Sequence, residues 1–336
     1  MESHRFRTLI WLSSLAAVMA LAACLGGCRK QPEPFPEPPP PPEGFATYEE
    51  AMEAVVAGRV PMVDRAIKVP DTVRELKDIE YGNPGGRGLM LDLYLPANSA
   101  APTPALIFIH GGGWEQGQKE DYLYYTVKYA EMGYACATIS YRLVKEAPFP
   151  AAVQDSKCAV RWVRANADKY NINPDSIAVV GGSAGGYLSL MVGYSSDVPE
   201  LEGDGGNAGV SSRVQAVVDL YGPTDLTAPV AIEAREVLNF LKKTYQEDPD
   251  LYTKASPMHY VTEDDPPTLI LHGTIDELVP IEQSDILAAK LRELGVPVIY
   301  DRLEGWPHTM DAAQAVNDRC RFFMDHFFKR YLPGAP

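Results

Sequence analysis

Ser183 stands in the run Val179-Val180-Gly181-Gly182-Ser183-Ala184-Gly185-Gly186, between a β-branched stretch and a helix-like one, Tyr187 to Val192. In that setting Gly-x-Ser-x-Gly reads as a sharp strand-to-helix elbow, which strains the serine backbone and presents its hydroxyl as a nucleophile. Glycines two residues to either side remove the side chains that would collide across the bend. A serine hydroxyl is a weak nucleophile until a base takes its proton, and histidine suits that work because its ordinary pKa is near neutral. Of six histidines, His4 falls in the N-terminal leader-like stretch, His326 in an amphipathic helical pattern, and His259 and His272 read as structural. His308, in Gly305-Trp306-Pro307-His308, is the one in a loop after the last expected strand. A carboxylate must fix the tautomer of such a base. Asp276, at the end of Leu271-His272-Gly273-Thr274-Ile275-Asp276, is the candidate; Glu277 beside it and Asp225 in Tyr221-Gly222-Pro223-Thr224-Asp225 are the alternatives.

A second glycine run, His110-Gly111-Gly112-Gly113-Trp114, follows a short apolar stretch. Attack on a carbonyl carbon builds charge on its oxygen, and backbone N–H groups aimed at that point stabilise it. Consecutive glycines let the backbone approach and turn its N–H groups inward, with the amide of Ala184 as the expected partner. His110 reads as structural, since it precedes the loop that must shape this hole. Nucleophile, base and donors are all supplied by the chain, so no metal or organic cofactor is called for.

These segments need a scaffold that brings loops from several strands to one edge. The chain alternates strand and helix patterns from about Leu76 onward. Strands are expected at Asp78–Tyr81, Leu89–Leu95, Ala105–Ile109, Tyr134–Tyr141, Val214–Leu220, Thr268–Leu271 and Val298–Leu303, besides the one entering the elbow. Helices are expected over Asp121–Glu131, around Val153, Val160 and Val163, after the elbow, along Leu287, Leu291 and Leu294, and along Val316 to Phe327. Such alternation implies an α/β fold with a mostly parallel central sheet and helices on both faces. Residues 46–336 read as one domain with a small helical insertion near 227–260.

The N-terminus has a different character. Arg5 and Arg7 precede an apolar run from Leu9 to Ala23, the pattern of an export signal over residues 1–23. Leu21-Ala22-Ala23-Cys24 resembles a bacterial lipobox, with Cys24 the lipidated residue and Cys28 the alternative. Prolines dominate residues 24–45, which read as an extended tether. The expected product is exported and lipid-anchored, facing the periplasm or the cell exterior. Thr47-Tyr48-Glu49-Glu50 opens a short helix as a capping box. A net charge of −15 with no basic stripe argues against nucleic acid as a partner. With 46% hydrophobic residues, 336 residues can bury a large core. Cys136, Cys158 and Cys320 read as buried thiols.

The chain order Ser183, Asp276, His308 is that of α/β-hydrolases. From about Leu76 to Tyr331 the sequence resembles the hormone-sensitive-lipase-like and feruloyl/acetyl-esterase-like members of that fold. The resemblance rests on His110-Gly111-Gly112-Gly113-Trp114, the Ser183 elbow, Tyr221-Gly222-Pro223-Thr224-Asp225, His272-Gly273-Thr274-Ile275-Asp276 and the late His308. It implies that Gly112 and Gly113 join Ala184 in the oxyanion hole, and that Asp155, in Phe149-Pro150-Ala151-Ala152-Val153-Gln154-Asp155, is structural. Two departures stand out. The large N-terminal helical cap is absent or replaced by the Thr47 helix, and bulky Trp306-Pro307 before His308 is expected to reshape the pocket rim. The expected activity is hydrolysis of short acyl esters, with acetyl or feruloyl esters of polysaccharides as substrates. Rival readings are an amidase or peptidase of formamidase type using the same triad, and an inactive hydrolase-fold binding module.

Overall fold

The computed structural model describes residues 34–196 and 198–336. The leader expected at 1–23, the lipidation candidates Cys24 and Cys28, and the start of the proline-rich stretch lie outside the described residues. Two compact units meet in sequence at Glu37/Pro38. Residues 34–37 carry no helix or strand.

Eight strands build one sheet: β1 (Val73–Gly82), β2 (Leu89–Pro96), β3 (Thr103–Ile109), β4 (Ala135–Ile139), β5 (Ile172–Gly182), β6 (Ala216–Leu220), β7 (Thr268–Gly273) and β8 (Val298–Leu303). Their spatial order is β1-β2-β4-β3-β5-β6-β7-β8. β2 runs antiparallel to both β1 and β4; every other pairing is parallel. All seven residues of β3 and all five of β4 are buried. Consecutive side chains of a strand point to opposite faces, so this burial requires cover on both faces. This is the α/β-hydrolase arrangement.

The covering helices are α1 (Tyr48–Val56), α2 (Leu123–Glu131), α3 (Ala151–Ala165), α4 (Ala184–Tyr194), α5 (Glu282–Glu293) and α6 (Gln314–Tyr331). α1 starts where its cap requires: Thr47 Oγ1 accepts from Glu50 N–H at 3.3 Å, and the Glu50 carboxylate accepts from Ala46 N–H at 3.1 Å. α4 is apolar around its whole circumference and entirely buried, as a helix packed into the centre of a domain must be. α3 carries Asp155, whose buried carboxylate accepts from the backbone N–H and the guanidinium of Arg142. Residues 227–260 form three short helices, Pro229–Glu233, Arg235–Leu241 and Pro249–Lys254, and one 3-10 turn.

β5 begins at Ile172, several residues before the β-branched run that marks it in the sequence. The proline-rich stretch is also not wholly a spacer. Its last eight residues, from Pro38 to Phe45, belong to the compact unit. Cys136, Cys158 and Cys320 are buried free thiols. Among the described residues no helix is long and apolar enough to cross a membrane.

Candidate active site

β5 ends at Gly182, and α4 begins at Ala184, so Ser183 alone makes the turn between them. Its φ of 57° and ψ of −124° put a non-glycine residue in sparsely populated backbone space. Ser183 N–H donates to Leu220 O at 2.8 Å, tying the elbow to β6. The bend is tight enough that a Cβ on Gly185 would lie 2.0 Å from Ile109 O, and one on Gly181 would lie 2.2 Å from Gly185 O. Glycine is therefore a steric requirement on both sides of the serine.

His308 follows β8 and reaches the serine from the side. Its Nε2 lies 2.9 Å from Ser183 Oγ, and its Nδ1 lies 2.6 Å from Asp276 Oδ2. Asp276 comes from the loop after β7. Glu277 is exposed, and Asp225 instead accepts from the Thr227 hydroxyl at 2.6 Å. The structure thus brings Ser183, His308 and Asp276 together and leaves both alternatives outside. Burial alone would raise the Asp276 pKa, but hydrogen bonds from His272 and His308 outweigh it and hold the carboxyl at about 2. Its other oxygen accepts from the backbone N–H groups of Leu278 and Val279, both at 2.9 Å. An ionised Asp276 accepts a hydrogen bond from His308 Nδ1–H, which leaves Nε2 free to accept from the serine hydroxyl.

The sequence signals missed how closely His272 and Tyr221 attend this group. His272 is fully buried, and its Nε2 lies 3.0 Å from Asp276 Oδ2 and 2.9 Å from Val279 O. Because a carbonyl can only accept, the proton sits on Nε2, and the Ser284 hydroxyl faces Nδ1 at 2.7 Å. His272 is structural, as its sequence context suggests, but what it holds is the Asp276 carboxylate. Tyr221 packs its ring against His308 with centroids 4.7 Å apart and donates its hydroxyl to Asp311. The four-residue step from His272 to Asp276 was the available signal for the first; the second depends on residues far apart in sequence.

The glycine loop lies beside the elbow, where a Cβ on Gly111 would stand 2.8 Å from Gly182 O. Gly112 has φ 103°, and its carbonyl turns away to accept from Glu115 and Gln116 N–H. Among the described residues the N–H groups of Gly112, Gly113 and Ala184 have no backbone acceptor outside helices and strands. His110 is buried against Tyr141, with ring centroids 4.2 Å apart, and burial lowers its pKa. It does not line the cavity.

Ser183, His308, Gly112, Gly113 and Ala184 open into one cavity of about 730 Å³, within the usual size of small-molecule sites. The insertion supplies an apolar wall through Val230, Ala231, Ala234 and Val237; Arg65, Gln116, Gln118 and Tyr124 line polar stretches. Trp306 corrects the expectation drawn from its bulk. It does not line this cavity but turns onto Phe45, edge to face, with ring centroids 5.6 Å apart. Among the described residues no cluster of three or more His, Cys, Asp or Glu is placed to hold a metal ion.

The BD-FAE family model matches residues 91–291, a span that includes Ser183 and Asp276 and ends before His308. Esterase LipQ of Mycobacterium tuberculosis is 34% identical over 73% of this chain and 59% of its own length. A solved structure described as a truncated form of carbohydrate esterase from gut microbiota superposes with a TM-score of 0.68 at 32% identity, covering 77% of this chain and 99% of that one. Thermogutta terrifontis esterase 2, phosphonylated by cyclosarin, superposes with a TM-score of 0.65 at 25% identity, over 78% of this chain and 95% of that one. The chain spans 59%, 54% and 62% of the first three curated relatives it matches.

Proposed function

The chain belongs to the BD-FAE family of α/β-hydrolases, and on that premise we propose that it is a serine carboxylic ester hydrolase acting on short acyl esters. The observation that carries this reading is the unbroken hydrogen-bond line from Ser183 Oγ through His308 to Asp276. In the proposed cycle Ser183 Oγ attacks the ester carbonyl carbon while His308 Nε2 takes its proton. The carbonyl oxygen becomes an oxyanion that receives the N–H groups of Gly112, Gly113 and Ala184. When the carbonyl re-forms, the C–O bond to the alcohol breaks and His308 hands the proton to that oxygen. Water then repeats the attack on the acyl-enzyme, with His308 as base, and returns the proton to Ser183. Asp276 stays ionised throughout and stabilises the imidazolium.

The cavity supports a substrate with two characters. An apolar wall from the insertion suits a short acyl or aryl group, and the polar stretches suit a hydroxylated alcohol. Acetyl or feruloyl esters of polysaccharide fragments combine the two, and one structural neighbour is a carbohydrate esterase. Export and lipidation at Cys24 would place the enzyme where such polymers are met; radiolabelled palmitate incorporation, abolished by Cys24→Ala, tests that part.

Purified enzyme should be assayed on p-nitrophenyl acetate, acetylated xylan, feruloylated oligosaccharides and acyl esters of rising chain length, with Ser183→Ala as control. Turnover of short esters that depends on Ser183 supports the reading. Turnover of formamides alone would move it to an amidase, and an inert wild-type protein would leave a binding module.

A further inference from the structure

The segment before β1 grips the loop that carries His308 on both of its flanks. On the entering side two backbones touch. Phe45 N–H donates to Gly305 O at 2.8 Å. A Cβ on Gly44 would stand 2.1 Å from Glu304 O, and one on Gly305, whose φ is 72°, would stand 2.5 Å from Phe45 N. Neither position tolerates a side chain. Trp306, two residues before His308, is pinned under this contact: its indole N–H donates to Pro42 O at 3.3 Å and its ring meets Phe45. Arg319, which also clasps Asp301, donates to Pro39 O. On the leaving side Val63 N–H donates to Ala312 O at 2.9 Å, and Gln314 N–H donates to Pro61 O at 2.8 Å. A short antiparallel bridge between Met62 and Ala313 results. Val63 and Arg65 then enter the wall of the cavity that holds Ser183.

From the sheet side the same loop has two further ties, Gly305 N–H to Thr274 Oγ1 at 2.9 Å and Ile275 N–H to Trp306 O at 3.2 Å. The outer side depends on the N-terminal segment. We propose that Pro38–Arg65 is a strap belonging to the active site, and that Gly44 and Phe45 are positioning residues that keep His308 Nε2 within bonding distance of Ser183 Oγ. The inference rests on the hydrolase reading above. Its physical basis is that a base displaced by about 1 Å from its working geometry can lose on the order of a hundredfold in rate. The strap itself contacts no reacting atom; it acts on the loop.

The test uses the full chain and three variants: Gly44→Ala, which forces the backbones apart, Phe45→Ala, which removes the ring under Trp306, and Phe45→Tyr, which keeps it. Each is titrated to completion with a p-nitrophenyl phosphonate. The p-nitrophenol released counts competent sites, and the rate of release reports how well His308 activates Ser183. Steady-state turnover of p-nitrophenyl acetate is then expressed per titrated site. The strap reading expects Gly44→Ala and Phe45→Ala to lower kcat per site, and the phosphonylation rate, by about tenfold or more. KM should change by less than about twofold, and Phe45→Tyr should behave as wild type. A purely structural strap gives fewer titratable sites with unchanged kcat per site, and that result overturns the proposal. Phe45→Ala carries the test if Gly44→Ala does not fold. A wild-type protein that neither turns over the ester nor takes the phosphonate fails at the hydrolase reading instead, before any variant is compared.

Discussion

Asp219 offers a stability prediction whose size follows from its surroundings. It is the single acid in the apolar strand Ala216-Val217-Val218-Asp219-Leu220 and is fully buried. One carboxyl oxygen accepts from Gly222 N–H at 2.9 Å; the other has no hydrogen-bond partner among the described residues. The carboxyl presses against the first turn of α4, where a Cβ on Gly186 would come within 2.3 Å of it. Burial raises its pKa to about 8, with the Gly222 bond opposing the shift. Native Asp219 therefore keeps its proton at pH 7, whereas the unfolded chain has lost it. Holding it costs nothing below pH 3.8; the cost grows as pH rises and levels off above about 8. At 1.36 kcal/mol per pH unit, the cost at pH 7 is about 4 kcal/mol. Asp219→Asn keeps the acceptor for Gly222, replaces one orphaned polar atom with another, and removes the titration. At about 2 °C per kcal/mol, the low end of the range for domains of 150–250 residues, Tm at pH 7 should rise by roughly 8 °C. Thermal unfolding of wild type and variant between pH 5 and pH 9 checks this. The gain should be about 3 °C at pH 5, grow steadily, and level off above pH 8. A gain that is the same at every pH, or a loss at pH 8, would refute the buried-carboxyl reasoning.

Asp276→Asn should lower kcat by roughly 10⁴ with little change in KM, because the amide favours the wrong His308 tautomer; steady-state kinetics at pH 7 decides it. Because the folded pKa of Asp276 is depressed to about 2, its stabilising contribution is present above the ordinary carboxylate pKa and lost as pH falls through about 2. Loss of activity above pH 4 should therefore not arise from protonation of Asp276, whose carboxylate infrared band should stay unchanged until lower pH. Gly185→Ala drives a methyl into Ile109 O and should abolish soluble expression, whereas Ala184→Gly should fold. Cys136, Cys158 and Cys320 should resist Ellman's reagent in the native protein and react once it unfolds.

The elbow and the glycine loop were legible because their geometry is local: a bend that rejects side chains announces itself as glycines at fixed spacing. The strands of the parallel sheet were legible for a similar reason, since burial on both faces writes continuous apolar runs such as Ala105 to Ile109. What the sequence concealed depends on contacts between distant positions. Gly44 and Gly305 explain each other only once their backbones are seen to touch. Trp306 looks like a rim residue while its partner, Phe45, is unknown. Proline-rich residues 38–45 look like spacer because polyproline carries no periodicity that distinguishes a docked segment from a free one. His272 is intermediate: its step to Asp276 was visible, but the carbonyl of Val279 that fixes its proton was not. Asp219 stands as an acid in a strand otherwise made of valine, leucine and alanine, an anomaly whose meaning only its packing against α4 supplies.

In the proposed cycle Ser183 becomes covalently acylated with His308 as its base. The direct measurement is intact mass and peptide mapping after reaction with a p-nitrophenyl phosphonate, run in parallel on wild type, Ser183→Ala and His308→Ala. One adduct per chain is expected, located on the peptide bearing Ser183, absent from Ser183→Ala and formed at least about a hundredfold more slowly in His308→Ala. An adduct on any other residue, or one formed equally fast without His308, would rule out Ser183 as the nucleophile activated by His308.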